Sequence, residues 1–102
     1  MNDNFVMQGK IKMTTRFLAE AQAIAAKEYN TANRKFPWWP SNVYEGLAIL
    51  AEEVGELNQA VLDCQHKGGS IDAAIIEAGQ VAAMAMRNLQ FLLLKQYERA
   101  GK

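Results

Sequence analysis

The chain has 102 residues, and eleven Lys and Arg balance eleven Asp and Glu. That length holds one domain, and a formal charge of zero provides no general drive toward nucleic-acid polymers or anionic membranes. Half of the residues are apolar, which excludes a disordered chain, and the single cysteine, Cys64, excludes an intrachain disulfide.

Residues 1–13 carry polar residues throughout and no long apolar run, which predicts a flexible N-terminal arm ahead of one domain over 14–102. β-branched residues never alternate with polar ones over a useful length, so the expected fold class is all-α. A first helix is expected after Thr14 or Thr15, either of which can cap it, and to run to about Asn30. Phe17, Ala21, Ile24, Ala25 and Glu28 mark its spacing. Pro37 and Pro40 then break the chain, because neither donates an amide and each restricts the residue before it.

Ser41 or Asn42 supplies the next N-cap, and with Asn42 the acid Glu45 falls at the capping-box position. This second helix is expected to reach about His66, where Lys67, Gly68 and Gly69 end it. On its wheel Leu47, Leu50, Val54, Leu57 and Val61 form one stripe, which predicts the core face. Glu45, Glu52, Glu56, Gln59 and Asp63 lie opposite, with Glu53, Ile49 and Ala60 beside them.

Ser70 caps a third helix that runs to about Arg99. It is apolar nearly all round from Ala73 to Leu94. Three helices of one chain cannot easily surround a helix about 45 Å long. A homo-oligomer, dimer or tetramer, built as a four-helix-bundle type is therefore expected. The same region contains Glu77, Gln80, Arg87, Asn88 and Gln90, and ionised groups are costly at membrane depth. The expectation is a cytoplasmic protein with no membrane partner.

The residues able to carry chemistry are Glu52, Glu53, Glu56, Glu77 and Gln80. Glu53 and Glu56 share one helix face, as do Glu77 and Gln80. Two such pairs facing each other bring three carboxylates and an amide to one point. That oxygen set suits Mg²⁺ or Mn²⁺ and not zinc. The plain alternative is a solvated acidic face. Glu77 weighs against it as the only acid between Asp72 and Glu98, because a buried carboxylate needs a cation or donor beside it.

Ala51-Glu52-Glu53-Val54-Gly55-Glu56-Leu57, followed by Glu77-Ala78-Gly79-Gln80, resembles the signature of the MazG-like all-α nucleoside triphosphate pyrophosphohydrolases. The likeness covers roughly Trp38 to Leu94. Their pattern is E-E-x-x-E followed by E-x-x-D, so Gln80 stands where the family usually has Asp. The resemblance implies an oligomer of helical bundles, related to dimeric dUTPases. It implies Mg²⁺-dependent hydrolysis of a (d)NTP to the nucleoside monophosphate and pyrophosphate. Carried over by position, Glu53, Glu56 and Glu77 are metal ligands with Gln80 in the fourth place. Glu52 is a further ligand or orients the attacking water, which makes Glu52 and Glu53 the expected catalytic pair. Gln80 binds a cation more weakly than Asp and cannot act as a base. The competing expectation is therefore a nucleotide-binding module of the same fold with little turnover.

Trp38 and Trp39 are candidate platforms for a base, or else plugs for the open end of the bundle. Arg87 and Asn88 lie on the Glu77 side of their helix and are candidate phosphate contacts. Arg34, Lys35 and Lys67 are alternatives from the loops, and each can equally be an ordinary surface charge. His66 reads as a favourable charge near a helix C-terminus, Cys64 as a buried thiol, and Met84 and Met86 as core filler.

Overall fold

A computed structural model describes residues 9–101. Those residues form three helices and no strand: α1, Leu18–Lys35; α2, Val43–His66; and α3, Ile71–Arg99. Residues 1–8 of the expected arm lie outside the described residues. Residues 9–13 are irregular and exposed.

The ends of α2 and α3 follow local chemistry. Asn42 Oδ1 accepts from the Tyr44 amide at 2.8 Å, and Ser70 Oγ accepts from the Ala73 amide at 3.1 Å. Each satisfies one of the amides that a helix start leaves without a partner. Gly68 takes the left-handed conformation at φ 71°, and the Gly69 amide returns to the Asp63 carbonyl at 2.9 Å.

The start of α1 differs from expectation. Neither Thr14 nor Thr15 caps it. Thr14 Oγ1 instead accepts from the Arg16 amide, a local turn that competes with capping. The N-cap position falls to Phe17 at φ 63°, with no side-chain cap. α1 also continues past Asn30 to Lys35. Nothing before Pro37 opposes the helix, and Arg34 and Lys35 favour its negative C-terminal end.

α3 is the central element. It packs against both α1 and α2, and α1 and α2 make no packing pair with each other. α3 thus forms the floor of a groove whose walls are α1 and α2. The expected core stripe of α2 holds in part: Leu50, Leu57 and Val61 are half-buried, and the stripe departs from expectation at Leu47 and Val54. Gly46 is buried and Ile49, Glu53, Leu57 and Ala60 are half-buried, whereas Leu47 is 48% exposed and Val54 is also open. The buried side of α2 therefore reaches from the predicted stripe round toward Glu53.

The apolar core of the single chain is small. Among the described residues only Ala74, Ala83 and Met84 are buried apolar residues, while Arg87 and Asn88 are buried polar ones. The exposed surface is 8163 Å². A compact monomer of this mass exposes about 5800 Å². Large apolar side chains are among the exposed ones: Leu47, Leu62, Ile75, Ile76, Leu89, Leu92, Leu93 and Leu94 are all open. No helix of the described residues is long and apolar enough to cross a membrane.

Candidate functional site

Glu53 and Glu56 stand one turn apart on α2, and Glu77 faces them from α3. One carboxylate oxygen from each lies within 4.8 Å of the other two. Glu53 and Glu77 are half-buried and Glu56 is exposed. Glu53 Oε2 and Glu77 Oε2 are fully buried and have no hydrogen-bond partner. Burial and then the Glu56 charge raise the pKa of both groups above the usual carboxylate value; Glu77 and Glu52 add to the effect on Glu53, and Glu28 to that on Glu77. Like charges this close oppose one another, and orphaned buried oxygens are costly. One hard cation among the three groups relieves both costs, so these residues fit Mg²⁺ or Mn²⁺.

The other expected members of the set divide. Glu52 is exposed and lies outside the converging trio. Gln80 is half-buried and donates Nε2–H to Glu28 Oε1 at 3.3 Å. Glu28 is the residue that sequence reasoning passed over, having marked it only as part of the helix spacing. α1 brings it in because Gly79 lets the two helices approach. A Cβ at Gly79 would meet Ile24 Cγ2 at 2.8 Å and Glu28 Cγ at 3.2 Å. A glycine between Glu77 and Gln80 is the one local signal of that close crossing.

Beside the trio, the groove between α1 and α2 widens into a cavity of about 460 Å³. Glu53 and Gln80 line its inner end, together with Glu28. Ala83 and Met84 form the floor, and Phe36, Trp38 and Trp39 of the connecting loop close the other end with Lys35. On the opposite side Glu56 and Glu77 line a shallower groove with Asp63 and Ser70. The carboxylates therefore sit between an aromatic cavity and an open polar groove.

The two tryptophans differ in exposure. Trp38 is 87% exposed, whereas Trp39 is half-buried. Trp39 Nε1 lies against Gly46 of α2, where a Cβ would come within 3.1 Å of it. Asn88 Oδ1 approaches the same point at 3.2 Å. Asn88 is buried and does not line the cavity. The structure places this expected phosphate contact with its amide packed under Trp39.

Arg87 lines the cavity but is also committed to the loop. Its Nη2 donates to the carbonyls of Phe36 and of Trp38, the latter at 3.2 Å, and the guanidinium lies 5.0 Å from the centre of the Trp39 ring. Of the other cations, Lys35 lines the cavity, Arg34 donates to Thr31 Oγ1, and Lys67 pairs with Asp63 at 3.9 Å near the C-terminal end of α2. His66 is exposed in the last turn of α2, Cys64 is a half-buried free thiol, and Met84 is buried. No protein-family model, curated protein or solved structure matches this chain.

Proposed function

We propose that the protein is a Mg²⁺-dependent nucleotide pyrophosphohydrolase of the MazG-like kind, acting on a (d)NTP. The observation that carries this reading is the continuity of the cavity. An aromatic loop closes one end, and Glu53 of a three-carboxylate cluster closes the other. A nucleotide has the matching polarity: a planar apolar base at one end and a polyanion that needs cations at the other.

In this reading Glu53, Glu56 and Glu77 hold the cation, and Mn²⁺ can replace Mg²⁺. Its chemistry is to neutralise phosphate charge and acidify a bound water. The residues of the chain do the rest. Exposed Trp38 offers a ring for the base, and Lys35 adds positive charge at the same end of the cavity. Hydrolysis between the α and β phosphates consumes one water and yields the nucleoside monophosphate and pyrophosphate. Glu52 stays a proposed positioning group for that water. The exposed apolar faces of α2 and α3 support a homo-oligomer of four-helix-bundle type, whose place is the cytoplasm.

Gln80 favours a second reading, a nucleotide-binding module with little turnover. Its neutral amide is engaged by Glu28 and supplies no fourth negative charge. The deciding experiment measures pyrophosphate release over a panel of (d)NTPs with Mg²⁺, alongside melting temperature with Mg²⁺ and each nucleotide. Release with stabilisation supports the enzyme. Stabilisation without release supports the module. Neither effect with any nucleotide overturns both.

A further inference from the structure

We infer that Arg87 is a positioning residue for the nucleoside end of the site: it staples the 36–39 loop so that the Phe36 and Trp38 rings stand at the cavity mouth. The inference rests on the nucleotide reading above. It replaces the role that spacing alone suggests for Arg87, a direct contact with phosphate.

The loop needs such a staple. Pro37 and Pro40 lack amide donors, so this stretch has few backbone bonds with which to hold itself. Its carbonyls are the groups left to grip. Arg87, only 6% exposed, grips two of them, those of Phe36 and Trp38, from one guanidinium. The carbon of the same guanidinium lies over the Trp39 ring, within cation–π distance. Trp39 in turn rests on Gly46, where no side chain stands in its way. Among the described residues no carboxylate pairs with Arg87. A buried arginine without an acid partner is costly, so the carbonyls and the ring are what keep it there.

The consequence is a division of labour within the loop. Trp39 is the foot, clamped between Arg87 and α2. Phe36 and Trp38 have their carbonyls held and their rings free, at 69% and 87% exposure. A fixed backbone with free rings is preorganised for a planar ligand, because little order remains to be gained on binding.

Lysine cannot reproduce the arrangement. Its single ammonium lacks the planar fork and the flat face able to stack on an indole. Arg87→Lys and Arg87→Met are compared with the wild type in the presence of Mg²⁺. The readouts are KM and kcat for the preferred nucleotide, inhibition by inorganic tripolyphosphate, and Mn²⁺ affinity without nucleotide. Tripolyphosphate has the polyanion but no base. The expected result is a KM raised about tenfold in Arg87→Met, the loss of one stacking platform, and raised less in Arg87→Lys. Tripolyphosphate inhibition, kcat and Mn²⁺ affinity stay within twofold. If tripolyphosphate weakens in parallel with the nucleotide, Arg87 touches phosphate and the inference fails. A folded Arg87→Lys with unchanged KM also overturns it, even where Arg87→Met does not fold. In both cases an active wild type leaves the nucleotide reading standing. A wild type that binds no nucleotide removes that reading, and the inference with it.

Discussion

The groove between α1 and α2 and the outer faces of α2 and α3 are built in opposite senses. The groove buries or half-buries Arg87, Glu53 and Gln80, and Asn88 and Glu77 are buried or half-buried beside it. The outer faces leave Leu47, Ile75, Ile76, Leu89 and Leu93 open to solvent. A stable monomer reverses that distribution. The difference accords with two proposals, that the half-buried polar interior serves as a site and that the open apolar surface meets a second copy of the chain.

The largest expected effect comes from the groove. Glu77→Gln removes the carboxylate that α3 contributes to the trio, and activity with Mg²⁺ should fall by more than about 100-fold, since even groups behind metal ligands cost 10–100-fold. Glu56→Gln should also weaken Mn²⁺ binding strongly. It should leave the fold intact and raise the melting temperature without metal, because it removes repulsion from both Glu53 and Glu77. Titration calorimetry with Mn²⁺ decides this. Unchanged affinity in both variants makes these acids a solvated face.

The outer faces are tested by Leu47→Glu and Leu93→Glu. On a self-sufficient monomer, exposed substitutions change stability by less than about 0.5 kcal/mol. At a buried interface each should cost about 2 kcal/mol or more. Sedimentation at micromolar concentration should show an oligomer for the wild type and smaller or unfolded species for the variants. A wild-type monomer of 11.4 kDa that stays folded would remove the bundle architecture.

Gly79→Ala acts where the two regions meet. The added methyl must displace Ile24 or Glu28, and the strain should cost about 1–3 kcal/mol, more than the helix propensity it gains. Ile24→Ala in the same chain removes the atom 2.8 Å away and should recover part of the loss. Urea denaturation of the single and double variants measures it, and strict additivity would contradict the close crossing.

The pH response has a definite sign. Glu53 and Glu77 bind protons more readily in the fold than in the unfolded chain, chiefly because of burial. Their contribution therefore favours folding at low pH and declines as pH rises from the ordinary value near 4.5 through their raised values. Metal-free protein should lose stability across that window. Mg²⁺ near neutral pH should restore it, as thermal melts with and without the cation would show. A flat response without metal would place these carboxylates in open solvent.

Much of this was legible from local chemistry. Asn42, Ser70 and Gly68 mark helix ends because a cap or a left-handed turn involves only near neighbours. Glu53, Glu56 and Glu77 were legible because their spacing fixes shared faces and Glu77 is isolated in an apolar helix. The face of α2 that meets α3 was legible only in part: Leu50, Leu57 and Val61 are half-buried as the wheel has them. Leu47 and Val54 look like core on a wheel, and only the position of α3 decides which side is inside. Thr14 was equally ambiguous, since the same hydroxyl can cap a helix or close a turn. The roles of Glu28 and Arg87 depend on residues about fifty positions away, and no spacing within one helix encodes that.

The smallest effect is the most informative about the site. Gln80 stands where the resembling family has Asp, and its amide donates to Glu28. Gln80→Asp removes that donor and sets a second carboxylate toward the first. Without metal the variant should lose about 1 kcal/mol, the worth of one hydrogen bond, which lowers the melting point by about 4–8 °C. With metal the added charge should tighten Mn²⁺ binding a few-fold, with hydrolysis equal or faster. Adding Glu28→Gln exchanges the amide and the carboxylate across the same contact. The double variant should regain the lost stability without metal while keeping the tighter binding, because residue 80 then supplies the charge and residue 28 the amide. Recovery of stability without tighter binding would mean that the contact only joins α1 to α3. No recovery at all would mean that the two side chains do not act on each other.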